Sequence, residues 1–497
     1  MQSNLEILLN LKYHSPHTPA VISNDKIITY EELDIQSSFL ALKLSEKISG
    51  KEYVGIYLDN SPEYITAILA LWKLGAVPVP LNLLAVDDEL FNQVNTVGIS
   101  TIISDDPYSQ KLESIHKVSS KKINVIQPEI NIVERKKSTG KDISQQQTYS
   151  DAKLHNDAVV IFTSGASGKP KGVAHTFNSL LSSIYNGNEI LNHRSGDRWL
   201  ASLPFYHIGG FQIICRAFYY KAALVILHSL QTEEISEAIN KFYPTHASFV
   251  SAQLKRLLDH QIKPNNELRC SLIGGGFIDK KLLLDAKISG WHPVKVYGSS
   301  ETASFVCALN ENDIELKGDS TGKPLGNNQI IIVDENGIEC PFQTEGEIVI
   351  KSDSLFKNYL NSESETKNKL KQDSYFTGDL GYIDDDGFLF VTGRKNEMIV
   401  TGAKNVNPLE VETAILKYPG IVEASVFPID DVEWGEIVCA AIVTNSIIEL
   451  DDLKFFLRKE LSSYKIPKRI FIEDSLPKTA MGKTKRSKLK NKYSGKV

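Results

Sequence analysis

Apolar positions along the chain fall into two rhythms. Short runs of β-branched residues alternate with longer stretches of helical period. Val54-Gly-Ile-Tyr-Leu58 predicts a buried strand, and the spacing then predicts a helix over Pro62–Leu74, stopped by Gly75. Val77-Pro-Val-Pro80 opens the next extended piece. Ala158-Val-Val-Ile-Phe162, Ala247-Ser-Phe-Val250 and Ser271-Leu-Ile273 repeat the pattern. Strands that alternate with helices imply βαβ units and a largely parallel sheet.

The rhythm changes near residue 325. Gln329-Ile-Ile-Ile-Val333, Gly346-Glu-Ile-Val-Ile350 and Phe388-Leu-Phe-Val391 are strand-like with no long helix between them, and Asp385-Asp-Gly387 signals a hairpin turn. This stretch, about 325–394, predicts a small β-barrel or β-rich subdomain. Beyond Arg394 the pattern becomes mixed α+β. The expected division is a domain over 1–394 and a smaller one over 395–497. The polar stretch 134–151 reads as an exposed loop before the first chemical motif.

Composition narrows the function classes. The 497 residues are 42% hydrophobic and 23% charged, enough apolar matter for a large core, which excludes a disordered chain. A net charge of -6 argues against a nucleic-acid partner. Five scattered cysteines (Cys215, Cys270, Cys307, Cys340 and Cys439) form no C-x-x-C pair, so each is expected to be a buried apolar residue in a reducing compartment. The most apolar segment, 64–79, is broken by Lys73 and Pro78 and falls short of the ~20 residues a membrane span needs. With no signal-like start, a cytoplasmic location is expected. Basic residues crowd the end of the chain: Lys483, Lys485, Arg486, Lys488, Lys490, Lys492 and Lys496. They are either a solvated tail or a surface for a polyanionic small molecule.

Four segments carry chemistry. The first is Phe162-Thr-Ser-Gly-Ala-Ser-Gly-Lys-Pro-Lys-Gly-Val173. Its glycines (Gly165, Gly168 and Gly172) allow close backbone approach, and successive N–H groups in such a loop form an anion cradle. Thr163, Ser164 and Ser167 add hydroxyl donors and Lys171 a mobile positive charge. Only two residues separate Gly165 from Gly168, so it is not a Walker A loop. Because it follows a strand, it suits a phosphate site at the strand's carboxyl end.

The second segment is Val296-Tyr-Gly-Ser-Ser-Glu-Thr302. Tyr297 beside Gly298 offers a ring for a base, Ser300 a hydroxyl for a phosphate and Glu301 a carboxylate for magnesium. The same residues read equally as a helix start, with Ser299 or Ser300 as cap and Glu301 in the first turn. The third is Tyr375-Phe-Thr-Gly-Asp-Leu-Gly-Tyr382, followed by Gly393-Arg-Lys-Asn-Glu397; Asp379 there is either a turn residue or a partner for ribose hydroxyls. The fourth is Leu476-Pro-Lys-Thr-Ala-Met-Gly-Lys483, whose Lys483 is either an exposed lysine or a group reaching a developing phosphate charge.

Together and in this order, the four segments resemble the adenylate-forming superfamily of AMP-dependent acyl-CoA synthetases, adenylation domains and luciferases. The resemblance runs from Thr29-Tyr-Glu-Glu-Leu33 and Asn60-Ser-Pro-Glu63 through Gly75-Ala-Val-Pro-Val-Pro-Leu-Asn82 to Lys483. It implies an α/β fold: a large N-terminal domain of layered αβ sheets plus a small barrel, and a smaller, mobile α+β C-terminal domain hinged near Asn396. It implies ATP, Mg²⁺ and CoA as the molecules handled. By the same resemblance, the loop from Ser164 to Lys171 would hold the β- and γ-phosphates, while Gly274, Gly275, Gly276 and Tyr297 would line an adenine pocket. Ser300 would meet the α-phosphate, Glu301 the metal, and Asp379 with Arg394 the ribose. Lys483 would serve adenylation, and Gly402 would lie by the thiol channel of the second step. The chain departs from the family pattern at Ala166 for a hydroxyl residue, at Ser300 for Thr and at Asn396 for Asp or Lys.

The acid to be activated is expected to sit among Leu203-Pro-Phe-Tyr-His-Ile-Gly-Gly210, Thr245-His-Ala-Ser-Phe-Val-Ser-Ala-Gln-Leu254 and residues 274–277. His207 is either a gate or a packed histidine, and Gly209 follows it. Arg216 interrupts an apolar run and pairs either with an acidic substrate or with a nearby Asp or Glu. These segments look most like o-succinylbenzoate–CoA ligases, with Ser251 in place of a common Pro. A medium- or long-chain fatty acid is the alternative substrate, and a carrier protein the alternative acceptor.

Overall fold

The computed structural model describes residues 2–11, 14–24, 26–108, 111–113, 123–128, 153–164, 170–276, 278–402, 404–479 and 482–494, with the backbone alone at Gln2, Ser3 and Ser164. The chain divides into two compact units. One comprises residues 1–274, 278–329 and 351–375, the other 275–277, 330–350 and 376–497.

The first unit is built on three sheets. The largest has nine strands, in the order Lys323–Pro324, Ser304–Leu309, Pro293–Ser299, Cys270–Gly274, His246–Val250, Arg198–Leu200, Ala223–Val225, Pro19–Ile22 and Ile27–Thr29. Its six central strands are parallel, and antiparallel strands close both edges. A second, all-parallel sheet runs Val77–Pro80, Tyr53–Tyr57, Thr101–Ser104, Asn124–Ile126. The expected helix spans Pro62–Leu74. Ser61 caps it by accepting from the Tyr64 amide, Pro62 stands in its first turn, and Gly75 ends it at φ 71°.

The third sheet corrects an expectation. Asp157–Ser164 does not feed a βαβ unit: it pairs antiparallel with Pro170–Thr176, which in turn pairs with Asn358–Tyr359. The Gly/Ser segment therefore connects a hairpin rather than a strand and a helix. A run of five apolar residues reports burial on both faces, not the direction of its partner. Val160, Phe162 and Ala174 of the hairpin pack into one cluster with Tyr57, Val79, Leu90 and Val97. Burial of large apolar side chains, about 1.5–3 kcal/mol each, fixes the hairpin to the parallel sheet behind it.

The second unit carries the strands expected after residue 325. Gln329–Val333, Gly346–Lys351 and Ser374–Ile383 lie side by side, with Leu389–Arg394 paired to Ser374–Ile383. The turn at 385–387 joins the last two long strands, with Gly387 at φ 82°. A further five-stranded sheet consists of Lys404–Val406, Ile399–Thr401, Gly435–Thr444, Ile421–Asp431 and Arg469–Ile472. Helices Pro408–Leu416 and Leu450–Glu460 bury Val411, Ile415, Leu453 and Leu457 against it. The basic end of the chain is not simply solvated. Helix Arg486–Tyr493 is tied down by Lys490 to Asp430 (2.8 Å), Lys492 to Glu473 (2.7 Å) and Arg486 to Glu412. Four cysteines are buried as expected, whereas Cys340 is partly exposed. No helix among the described residues is long and apolar enough to cross a membrane.

Candidate active site

In the first unit the hairpin sets Lys171 directly opposite Thr163. Gly165, Ala166, Ser167, Gly168 and the Ser164 side chain lie outside the described residues, as do the polar stretch 134–151 and Phe277. Lys171 Nζ bonds Glu365 Oε2 at 2.7 Å and stands 5.5 Å from the centroid of the Tyr359 ring.

The strand of Tyr297 ends in a bulge. Gly298 is obligatory there, because a Cβ would drive into the Ser304 carbonyl. Ser299 then caps a single 3-10 turn over Ser300–Thr302 by accepting from the Glu301 amide at 3.2 Å. The capped-turn reading of this segment therefore holds. It is also what aims Glu301, whose Oε1 accepts from the Tyr359 hydroxyl at 2.8 Å. The backbone of the turn is pinned on both sides. His175 Nε2 donates to the Ser300 carbonyl at 2.6 Å, and the Phe356 amide donates to the Glu301 carbonyl at 2.8 Å. Burial lowers the His175 pKa to about 4, against the pull of the Ser300 carbonyl and of Glu301, so the ring is neutral. His175, Tyr359 and Glu365 were not singled out by the sequence patterns. Each acts on a residue far away in the chain, and none stands in a Gly-rich motif.

His207 occupies the cap position of helix Ile208–Tyr219, its ring 4.7 Å from that of Tyr206. A Cβ on Gly209 would sit 3.3 Å from Leu203 Cδ1. Two turns on, Arg216 is 1% exposed. Its guanidinium lies 4.6 Å from the Phe305 ring centroid, and its Nε and Nη2 are buried with no hydrogen-bond partner among the described residues. No Asp or Glu among the described residues pairs with it, which removes one of the two expected partners. Burial alone lowers its pKa to about 10, so it stays charged. A buried cation without an anion is costly unless a ligand supplies one.

A second cluster in this unit is not a metal centre. His193, Asp197 and His246 bring their ligand atoms within 4.8 Å of one another. The two imidazoles, however, are stacked at 4.7 Å with 19° between planes, so their in-plane lone pairs run side by side instead of converging. His246 Nε2 bonds the Leu191 carbonyl at 2.7 Å, and the Arg269 guanidinium holds Asp197 at 2.6 Å.

The second unit carries the remaining candidates. Asp379 and Arg394 face each other across paired strands, with Arg394 Nε 2.7 Å from Asp379 Oδ1. The Asp379 amide donates to Thr377 Oγ1 at 2.9 Å, and Gly378, at φ 79°, donates to Glu347 Oε1 at 3.1 Å. Glu347 also meets Lys395 Nζ at 3.3 Å. Asn396 is the middle residue of the 3-10 turn Lys395–Glu397. Gly402 has φ 53°, its amide donates to the Trp434 carbonyl at 2.9 Å, and a Cβ would meet the Trp434 ring at 2.8 Å. Gly275, at φ 95°, and Gly276 belong to this unit, whereas Gly274 belongs to the first. Lys483 is exposed, and the Thr479 amide donates to its carbonyl at 2.8 Å. Arg486, just beyond, bonds Glu412 with Nε and Nη2 and Glu397 with Nη1. Burial raises the Glu412 pKa against the opposing pull of Arg486.

Comparison with known proteins agrees with this arrangement. Residues 12–360 match the AMP-binding enzyme family and residues 410–483 the AMP-binding enzyme C-terminal domain. Among curated relatives, the 2-succinylbenzoate–CoA ligase of Bacillus subtilis (strain 168) is 30% identical over 97% of both chains. That of Geobacillus sp. (strain WCH70) is 31% identical over 97% of this chain and 96% of its own. The structure of the Bacillus subtilis o-succinylbenzoate CoA synthetase in complex with the acyl-adenylate intermediate OSB-AMP superposes with a TM-score of 0.86, at 29% identity and 98% coverage of both chains. The same enzyme in complex with ATP and magnesium ion also gives 0.86, at 28% identity, covering 98% of this chain and 99% of that one. With a family match spanning well over half its length, the chain belongs to the AMP-binding enzyme family.

Proposed function

We propose that this chain joins 2-succinylbenzoate to coenzyme A in two AMP-forming steps. In the first, a carboxylate oxygen of the acid attacks the α-phosphorus of ATP, the bond to the β-phosphate bridge breaks, and pyrophosphate leaves. In the second, the thiol sulfur of CoA attacks the acyl carbon, AMP departs with its oxygen, and the thiol proton is lost to solvent. The logic is one of leaving groups: oxide is replaced by AMP.

In this reading Lys171, with Thr163, Ser164, Gly165, Ser167 and Gly168, binds the outer phosphates, and Ser300 meets the α-phosphate. Glu301, a partly buried carboxylate held on Tyr359, fits Mg²⁺, which when bound supplies charge neutralisation to the phosphates. Tyr297, Gly298 and the glycines 274–276 accommodate the base, and Asp379 with Arg394 the ribose. Lys483 stabilises charge growing at the α-phosphate, so the first step needs positioning rather than a protein nucleophile. Rotation at Asn396 withdraws Lys483 and brings Gly402 to the thiol path, a hinge motion confined to a few backbone angles. His207 gates the acyl site. The domains are taken as 1–394 and 395–497. A cytoplasmic setting, where ATP and CoA are present, suits five free cysteines.

The observation that carries the substrate is Arg216. Its buried guanidinium has no carboxylate partner among the described residues, and 2-succinylbenzoate retains one carboxylate after the other is activated. A fatty acid would leave that charge unanswered. The relatives' printed names support the same acid. The test is pyrophosphate release with 2-succinylbenzoate, with 4-oxo-4-phenylbutanoate, which lacks only the ring carboxylate, and with fatty acids. The expected loss of kcat/KM for the truncated acid is about 100-fold or more. Equal turnover of both keto acids, or preference for a fatty acid, would overturn the assignment.

A further inference from the structure

The lysine of the hairpin is already engaged by an anion of the protein itself. Lys171 Nζ and Glu365 Oε2 are 2.7 Å apart. Glu365 is held in place by its neighbours rather than by the ion pair alone. It lies in the short helix Glu363–Lys369, where Thr366 Oγ1 donates to the Ser362 carbonyl and accepts from the Tyr359 amide, each at 3.0 Å. Tyr359 belongs to the strand paired with that of Lys171, in register with Val173, and the Leu360 amide donates to the Gly172 carbonyl at 2.8 Å. Carboxylate and lysine thus hang from the same small sheet, and the Tyr359 ring lies beneath the cation.

We infer that Glu365 is an internal competitor for polyphosphate and so a specificity-determining residue for the nucleotide. This rests on the ATP-dependent reading above. A ligand that takes Lys171 through β- and γ-phosphates must displace Glu365 and bear its repulsion. AMP, whose single phosphate meets Ser300 instead, escapes both costs. Pyrophosphate bears them fully, so the ion pair re-forms as pyrophosphate leaves and favours its departure. The side chains of Lys171 and Glu365 are 22% and 40% exposed, so the pair is partly solvated and its effect modest.

The experiment is calorimetric binding of α,β-methylene ATP, AMP and pyrophosphate to the full chain. It compares wild type, Glu365→Gln, Lys171→Met and the double variant, each checked for folding by its thermal melt. Glu365→Gln is expected to tighten the ATP analogue and pyrophosphate by roughly two- to fivefold while leaving AMP unchanged. The gain should vanish in the Lys171→Met background and shrink at raised salt. Weaker or unaltered binding of the ATP analogue, an equal shift for AMP, or a gain that survives loss of Lys171 overturns the inference and leaves the adenylation reading standing. Wild-type protein that binds neither nucleotide overturns both.

Discussion

The Tyr359 hydroxyl donates to Glu301 Oε1 at 2.8 Å, joining residues 58 positions apart. Burial, and after it the charge of Glu301, pushes the phenol well above its ordinary range, so it remains a donor at every working pH. Such a bond fixes one carboxylate oxygen and leaves the orientation of the other determined. Tyr359→Phe is therefore expected to raise the Mg²⁺ concentration needed for half-maximal pyrophosphate release by about three- to tenfold, the equivalent of one ordinary hydrogen bond. Stability should fall by only about 1 kcal/mol. A magnesium titration of both proteins decides it: an unchanged midpoint would detach Glu301 from the metal.

Arg216 carries the opposite balance. Among the described residues its buried charge meets no anion, so replacing it by an apolar side chain of similar length should not harm the fold. Arg216→Met is expected to raise the melting temperature or leave it unchanged, because an uncompensated buried charge is removed. The same variant should lose about 100-fold in kcat/KM for 2-succinylbenzoate while ATP binding is kept. A variant that melts well below wild type would show that the guanidinium is part of the framework instead.

Acid should weaken the fold before any carboxylate network fails. Burial lowers the pKa of His14, His175 and His246 to about 4, so these rings are neutral when folded and titrate at the ordinary value of 6.5 when unfolded. Between those values the unfolded chain binds more protons, and stability rises with pH. Its contribution is complete above about pH 6.5 and declines as pH falls toward 4, by about 3 kcal/mol for each fully buried ring. Asp197 acts elsewhere: burial pushes its carboxyl up, but His193, Arg269 and the Arg194 amide hold it well below the usual range. Its contribution is lost only below about pH 4. Urea midpoints measured from pH 7 to pH 4.5 should fall steadily; a flat profile would mean that the rings are protonated in the folded protein.

The elements with local signatures were legible in the sequence. Ser61, Pro62 and Gly75 mark both ends of one helix, and Asp385-Asp-Gly387 marks one hairpin. The strand at Ala158-Val-Val-Ile-Phe162 was legible as a strand but not as half of a hairpin, because hydrophobicity encodes burial and not pairing. The four motif segments carried the family resemblance that the match over residues 12–360 and 410–483 bears out. Their supporting contacts were hidden by distance along the chain, 194 residues for Lys171 with Glu365 and 125 for His175 with Ser300. Arg216 stood out because a guanidinium inside an apolar helical face is anomalous, yet only the packed structure shows that no acidic residue among those described answers it.

Arg486 has a mechanical meaning beyond its ion pairs. Its fork clasps Glu397 beside Asn396 and Glu412 on helix Pro408–Leu416, while its backbone continues directly from the Lys483 loop. Loop, helix and turn are thereby clamped into a stiff crank. On the proposed swing at Asn396, torsion at 395–397 would pass through these ion pairs to the segment that carries Lys483, so turn, helix and lysine would move as one piece.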